Sequence, residues 1–324
     1  MKKPNIVVVG GGTGSFVTLS GLKKHPYNLS AIVTMMDDGG STGKLRDQLG
    51  VLPPGDFRQC LIALSDAPDI WRKLFTYRFD SGDLAGHNMG NILLSALEKI
   101  SSSYADVVQE AHEIMAVQGR VIPVTFDTAR LKVVYRSGRE LIGEKFLDEQ
   151  SSDHERIETI SLQPSAQLNP EVSKTLSDAD YIIIGPGDLY SSIISISLVS
   201  GFKEAFMASK AKVIFIMNLM TKSSQTPSYS AQDHVDDIAR FFGRRPDVVL
   251  QNTDPIPSEV VDYYKSASND IPVTGSISDV RVLPSALLSK EIKDERQTLA
   301  QTFAHSILRH DSEKVAEAIR SIVE

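Results

Sequence analysis

The chain has 324 residues, of which 41% are hydrophobic and 23% charged, with a formal net charge of −7. This length can bury a large core, and an acidic balance without a basic stripe argues against nucleic-acid binding. Cys60 is the only cysteine, which excludes an intrachain disulfide or a thiolate metal cluster. No apolar run reaches the roughly 20 residues of a membrane helix, and the amino-terminal run is too short for a signal peptide. We therefore expect a cytoplasmic protein without membrane insertion.

The first half of the chain alternates strands, glycine-rich turns and helices. Apolar runs predict strands over 5–9 and 29–36, with a helix over 14–24 between them. Apolar residues three or four apart predict the next helices, at 57–65, 69–77, 89–100 and 104–117. The period then changes to two, which predicts strands at 121–124, 131–135 and 140–145. The turn 136–139 joins the last two strands as a hairpin.

The α/β rhythm resumes after residue 180. Strands are predicted at 181–184, 213–217 and 248–251, and helices at 190–208, 231–242, 258–265 and 312–323. The stretch 277–302 gives no clear pattern. We find no internal repeat and no linker, so we predict one domain over 1–324. Its fold class is α/β, a doubly wound, mainly parallel Rossmann-like sheet with a small antiparallel β-hairpin insertion.

Two successive predicted strands end in glycine-rich turns. Residues 10–15 read Gly-Gly-Gly-Thr-Gly-Ser, and residues 37–44 read Asp-Asp-Gly-Gly-Ser-Thr-Gly-Lys. The carboxyl ends of parallel strands lie side by side, and open α/β sheets bind their ligands there. Glycines let backbone N–H groups approach an anion closely, and a following helix adds a favourable dipole. The sequence therefore predicts a site for a small molecule that carries phosphate.

Neither turn matches a standard nucleotide motif. The first differs from the dinucleotide fingerprint because Ser15 replaces the third glycine. The second resembles a Walker A loop, but Asp38 stands at its first glycine and Leu45 follows Lys44. Ordinary NAD binding and P-loop chemistry are therefore disfavoured, and a purely structural turn would need fewer glycines.

The second turn carries most of the charged candidates. Asp37 and Asp38 are candidates to hold Mg²⁺ through carboxylate oxygens or to accept hydrogen bonds from a ligand, although aspartates before Gly-Gly also form turns. Lys44 and Arg46 are candidates to pair with phosphates, the alternative being a solvated surface.

Further along the chain, three more segments at predicted strand or helix ends offer polar side chains. His87 precedes a predicted helix whose N-cap is Asn88, and the positive helix end favours a neutral imidazole. No second histidine stands at metal-ligand spacing, so zinc is not predicted. Ser191 or Ser192, after the turn 185–188, is a candidate to cap a helix or contact phosphate. Asn218 follows another strand at the same edge.

Taken together, these segments resemble the family that joins the 2-phospho-L-lactate transferases of coenzyme F420 synthesis (CofD) to the bacterial gluconeogenesis-factor-like proteins (YvcK). The resemblance covers nearly the whole chain and favours the YvcK-like branch. Its motifs are Gly-Gly-Gly-Thr-Gly near residue 12, Asp-Asp-Gly-Gly-Ser-Thr-Gly-Lys-Leu-Arg at 37–46, Pro-Pro-Gly-Asp-Phe-Arg at 53–58, Gly-His-Asn-Met-Gly-Asn at 86–91, Ile-Gly-Pro-Gly-Asp-Leu-Tyr-Ser-Ser at 184–192, Asn-Leu-Met-Thr at 218–221 and Leu-Arg-His-Asp at 308–311.

The resemblance implies a protein that binds UDP-N-acetylglucosamine or a similar UDP-sugar and is linked to cell shape and gluconeogenic growth. Tyr264 and Arg309 resemble the branch's sugar-nucleotide contacts, with Tyr263 as the alternative to Tyr264. The branch usually has serine where this chain has Asp188. The alternative function is a Mg²⁺-dependent transferase of the 2-phospho-L-lactate type. The sequence leaves the oligomeric state open, a homodimer being one option. The expected ligand residues are Gly11, Gly12, Thr13, Gly14, Asp37, Asp38, Ser41, Thr42, Lys44, Arg46, Arg58, His87, Asn88, Asn91, Gly187, Asp188, Ser191, Asn218, Tyr264 and Arg309.

Overall fold

A computed structural model describes residues 3–144, 147, 155–290 and 307–324. The strands within these residues are β1 Asn5–Gly10, β2 Asn28–Val33, β3 Arg120–Pro123, β4 Arg130–Tyr135, β5 Glu140–Ile142, β6 Ile157–Gln163, β7 Tyr181–Ile184, β8 Lys212–Ile216, β9 Val248–Asn252 and β10 Arg281–Ser285. Seven of them form a parallel sheet in the order β10-β9-β8-β7-β1-β2-β3. In its centre, Val8 pairs with Ala31 of β2 and Ile183 of β7, and all three are buried. Burial of both faces explains the continuous apolar runs of these strands.

Helices flank this sheet, as the strand–turn–helix rhythm predicts. They are α1 Gly12–Leu22, α2 Gly40–Leu49, α3 Gly55–Leu64, α4 Asp69–Thr76, α5 Met89–Ile100, α6 Tyr104–Ile114, α7 Pro170–Ser177, α8 Phe202–Ala208, α9 Ala231–Phe242, α10 Ser258–Ala267 and α11 Ser312–Val323. Helix α1 packs against α3 and α11, and α7 packs against α8. The described part of the chain contains no helix with the length and apolarity to cross a membrane. The predicted doubly wound α/β class is confirmed.

The predicted hairpin belongs to a separate three-stranded antiparallel sheet of order β5-β4-β6. Lys132 of β4 pairs with Ile142 on one side and Ser161 on the other, and the register shifts between Val134 and Tyr135. The hairpin itself is confirmed, but the sequence analysis missed β6. The predicted strand 140–145 was too long, because β5 ends at Ile142 and Gly143 turns away with a φ of +105°. Residue 145 lies outside the described residues.

Two further boundaries differ from the predictions. The second strand ends at Val33 rather than at residue 36, since Met35 and Met36 are buried without pairing in the sheet. The predicted helix 190–208 is not continuous. A π-helical turn, Leu189–Ile194, passes into a single α-turn, Ser195–Ser197, and Gly201, with a φ of +94°, precedes the separate helix α8. Helix α7 and strand β10 were not predicted from the sequence.

The sheet topology positions the candidate site. Strand β2 follows β1 along the chain and lies on one side of it, whereas β7 lies on the other side. The carboxyl ends of β1 and β7 therefore form a topological switch point, where the connections diverge to opposite sides. In open α/β sheets, ligands bind in the crevice at this place.

Candidate ligand-binding cavity

A cavity of about 440 Å³ opens above the switch point. Its walls are the segments that follow four parallel strands, at 11–14 after β1, 37–42 after β2, 186–188 after β7 and 218–222 after β8. Residues of α3 and α10 and the segment 308–310 also line it, as do Arg78, Asn91, Glu144 and Asp270. The turns predicted to share one edge of the sheet are thus brought together.

The glycine turn after β1 lies at the base of α1. Gly11 is the N-cap and has no side chain that could cap the helix, so the backbone N–H groups of this helix start lie at the cavity. One of them, the N–H of Gly12, donates to the carboxyl group of Asp56. Gly14 is required for a different reason. A Cβ atom there would lie 1.6 Å from the carbonyl oxygen of Pro186, so any side chain would force the turns after β1 and β7 apart.

Asp56, at the start of α3, is a cavity residue that the sequence analysis did not select. Burial and the neighbouring carboxylate of Asp37 raise the pKa of Asp56 to about 8, although the N–H of Gly12 donates to it and Arg58 attracts it. A Cβ atom on Gly11 would lie 2.2 Å from its Oδ2. Acidic residues are common in the first turn of a helix, so the sequence did not indicate that Asp56 lines a cavity.

Asp37 and Asp56 are the carboxylates that face the glycine turn together. A Cβ atom on Gly55 would lie 2.5 Å from Asp37 Oδ2 and 2.6 Å from Thr42 Oγ1, so both oxygens lie next to Gly55. Carboxylate and hydroxyl oxygens suit Mg²⁺. The described residues contain no group of three or more His, Cys, Asp or Glu side chains that could hold a metal ion. A cation here would therefore need oxygens from a ligand or water.

Asp38 does not join this pair. Its side chain is buried and forms an ion pair with Arg130 of β4, with 3.5 Å between Asp38 Oδ2 and Arg130 Nη1. It does not line the cavity. The structure therefore separates the two adjacent aspartates that the sequence offered as a metal site and replaces Asp38 with Asp56.

On the β2 side, two arginines line the cavity. Arg58 Nε donates to Asn91 Oδ1 at 2.7 Å, and its Nη1 donates to the carbonyl of Phe75 at 3.0 Å. Burial and the charge of Arg78 lower the pKa of Arg58 to about 10. Arg78 also lines the cavity and was not predicted. Its sequence context, just after an exposed helix, gave no local signal.

A polar network lies behind this wall. Ser41 Oγ lies 3.2 Å from His87 Nδ1, and Asn88 caps α5 by accepting from the N–H of Asn91 at 3.2 Å. Burial, together with Lys44 and Arg78, lowers the pKa of His87, so Nδ1 of a neutral ring can accept from the hydroxyl. His87 and Asn88 do not line the cavity, whereas Ser41 and Asn91 do. His87 and Asn88 therefore position the residues that do.

On the β7 and β8 side, Asp188 forms an ion pair with Lys222, and both line the cavity. Asn218 Nδ2 donates to the carbonyl of Gly187 at 2.6 Å, while its buried Oδ1 has no partner among the described residues. Ser191 instead bonds to Gln225, whose Nε2 lies 3.1 Å from its hydroxyl, and stands outside the cavity. Lys222 is a second cation that the motifs did not indicate.

The far end of the cavity contains Tyr264, Arg309 and His310. Tyr264 is buried and its hydroxyl accepts from the N–H of Leu308 at 3.1 Å, whereas Tyr263 is 37% exposed and does not line the cavity. Within the described residues, Arg309 Nε and His310 Nε2 are buried without a hydrogen-bond partner. Burial lowers the pKa of His310 to about 4, so its ring is neutral near pH 7. Of the two tyrosines, Tyr264 is the one at the cavity.

The remaining predicted ligand residues divide in two groups. Lys44 is exposed, and Arg46 is buried and donates to the carbonyl of Ala129, both outside the cavity. The predicted residues that do line it are Gly11, Gly12, Thr13, Gly14, Asp37, Ser41, Thr42, Arg58, Asn91, Gly187, Asp188, Asn218, Tyr264 and Arg309.

Known proteins share both this sequence and this fold. The family model described as 2-phospho-L-lactate transferase CofD matches residues 6–292. A putative gluconeogenesis factor of Thermoanaerobacterium thermosulfurigenes is 38% identical over 323 residues, which cover 99% of this chain and 97% of that protein. The gluconeogenesis factor of Bacillus subtilis (strain 168) is 36% identical over 322 residues, which cover 98% of each chain.

A solved structure extends the likeness to three dimensions. The crystal structure of a UPF0052 family member from Bacillus halodurans is 33% identical, covers 99% of both chains and has a TM-score of 0.87. These matches confirm the resemblance read from the motifs. The chain therefore belongs to the CofD family, and the full-length relatives it matches there are gluconeogenesis factors.

Proposed function

We propose that this chain is a cytoplasmic protein that binds UDP-N-acetylglucosamine or a similar UDP-sugar and acts in the regulation of cell shape and carbon metabolism. The regulatory role rests on the likeness to gluconeogenesis factors. The binding role rests on the cavity, and a regulatory protein needs only to bind.

The observation that carries the proposal is a glycine turn at the start of α1 that shares one cavity with Lys222 and Arg309. Backbone N–H groups at a helix start and two cations are suited to a diphosphate. Tyr264 supplies an aromatic surface, and Asn218 Oδ1 and His310 Nε2 supply unsatisfied polar atoms for a base or a sugar. A volume of about 440 Å³ falls within the range of small-molecule sites.

The second candidate function is a Mg²⁺-dependent transferase of the 2-phospho-L-lactate type. The pairing of Asp37 with Asp56 favours it, because a bound Mg²⁺ would neutralise charge on phosphate oxygens. The transfer would also need a residue to position the acceptor. His87, an expected ligand residue, stands behind Ser41 and outside the cavity, so it does not supply that role.

Calorimetric titration of the full chain with UDP-N-acetylglucosamine, UDP-glucose and GDP, each with and without Mg²⁺, separates the two functions. We expect a preference for the UDP-sugar. Arg309→Gln should weaken its binding by about tenfold to 150-fold, the value of a charge-assisted hydrogen bond, whereas Arg281→Gln at an exposed position should not change it. A preference for GDP, with product formed from a nucleotide-activated phospholactate and a deazaflavin, would favour the transferase.

A further inference from the structure

The cavity carries cations at two separated places. Lys222 and Arg309 lie on the β8 side, while Arg58 and Arg78 lie on the side of β2, against which α3 packs. In the strand order, β7 and β1 stand between β8 and β2. Three strand spacings of about 4.8 Å therefore separate the two sides by about 14 Å.

Carboxylates lie between these two cationic places. Asp37 and Asp56 face the glycine turn after β1, and Asp188 follows β7. One continuous polyphosphate that joined Arg58 to Lys222 would have to pass these side chains, and the charges of Asp37 and Asp188 would repel it. The two pairs of cations are therefore suited to two distinct anionic groups.

The two arginines on the β2 side are held close together as like charges. The charge of Arg78 lowers the pKa of Arg58 more than Asp56 or Asp37 raises it. Arg58 is only 8% exposed, and its guanidinium is fixed by the bonds to Asn91 and Phe75. Arg78 is fixed by an Nη1 bond to the carbonyl of Gly86 at 2.7 Å. An anion between two fixed guanidinium groups would relieve their repulsion, and the planar groups match paired oxygens.

We propose that Arg58 and Arg78 form a second anion-binding subsite, which takes the carboxylate or phosphate of a small metabolite separate from the nucleotide sugar. This inference goes beyond the proposed function and shares with it only the cavity. The subsite is formed by residues from α3 and from the segment after α4, which approach each other only in the folded chain.

The test uses two probes on the full chain, inorganic phosphate and malonate, whose dissociation constants are measured by calorimetry without nucleotide. The probe that binds more tightly identifies the oxygen group that the subsite prefers. Arg78→Gln should weaken binding of that probe at least tenfold. Arg58→Lys, which keeps the charge but loses the planar fork, should weaken it as well.

Arg72→Gln, which changes an exposed arginine of α4 outside the cavity, is the control and should bind the probe within about twofold of the unmodified protein. Arg309→Gln is measured beside it to show whether the probe binds at the opposite side of the cavity. Unchanged affinity in Arg78→Gln, loss only in Arg309→Gln, or binding of neither probe would overturn the proposal. A separate titration with UDP-N-acetylglucosamine distinguishes the two proposals. Its failure beside Arg78-dependent anion binding would refute the nucleotide-sugar function alone.

Discussion

Replacing Asp56 with asparagine tests whether the folded protein disfavours the ionised form of this carboxyl group. Asp56 is 9% exposed, and burial beside Asp37 raises its pKa from 3.8 to about 8. Because the folded pKa lies above the unfolded one, its stabilising contribution is complete below pH 3.8 and is lost as the pH rises through 8. At pH 7 the part of this shift between 3.8 and 7 corresponds to about 4 kcal/mol, at about 1.4 kcal/mol per unit.

Asparagine has nearly the same shape and removes the charge. We expect Asp56→Asn to stabilise the protein without ligand by about 1–3 kcal/mol at pH 7, less than the full shift because the new amide must find an acceptor. The gain should grow between pH 5 and pH 8, where the unmodified protein loses stability.

Urea unfolding at pH 5, 7 and 8 measures this difference. Asp83→Asn, at an exposed position, is the matched control and should leave the free energy of unfolding unchanged at each pH. If Asp56→Asn is less stable at pH 7, by an amount that does not vary with pH, then the bond from Gly12 and the attraction of Arg58 outweigh burial. Burial would then not be the dominant effect on this carboxyl group, contrary to the prediction. Mg²⁺ should also stabilise the unmodified protein more than the variant, if Asp56 is one of its ligands.

Three further changes test separate parts of the cavity. Gly14→Ala should abolish folding or cost several kcal/mol in urea unfolding, whereas Gly185→Ala, where the nearest atoms lie 3.7 Å from the added Cβ, should be tolerated. Asp188→Asn frees Lys222 from its ion pair and should tighten UDP-sugar binding several-fold in calorimetry, and unchanged affinity would show that the pair does not compete with the ligand. Because the folded pKa of His310 is lowered from 6.5 to about 4, stability should fall as the pH drops from 6.5 towards 4, and His310→Gln should reduce this loss in urea unfolding at pH 7 and pH 5.

Local sequence patterns predicted the parts of the fold that depend on local burial. The central strands are apolar because both of their faces are covered, and the helices show their period because one face is covered. Strand β10 has neither property. It lies at the edge of the sheet, is mostly half-buried and contains Pro284, whose missing N–H an edge strand tolerates. Its sequence therefore resembles a loop.

The region after β7 shows how distant contacts override a local helical pattern. The hydroxyl of Tyr190 donates to Asp237 Oδ2 at 2.6 Å and lies 3.0 Å from that of Tyr229. Both partners are far along the chain, in α9 and just before it. The helix predicted from residue 190 instead begins as a π-helical turn and is interrupted before Gly201. The sequence of residues 190–208 cannot indicate these contacts, because both partners lie outside it.

The same limit applies to the candidate site. Glycine turns can be found in a sequence because each one is a local segment, and the structure brings them to one edge of the sheet. The side chains that complete the cavity include Arg78 and Lys222, which come from segments whose local sequence indicates only surface or loop. Their role depends on which strand ends are neighbours, and the topology decides that.

The adjacent residues Asp37 and Asp38 show this limit of local sequence. The sequence presents Asp37 and Asp38 as one acidic unit, but neighbours along a chain that leaves a strand can face opposite sides. Asp37 enters the cavity, and Asp38 turns to Arg130 on the separate antiparallel sheet. The carboxylate that does face Asp37 is Asp56, from the start of α3. Residues that lie together at this sheet edge therefore come from different segments of the chain. A cation bound between Asp37 and Asp56 would connect the turn after β2 to the start of α3.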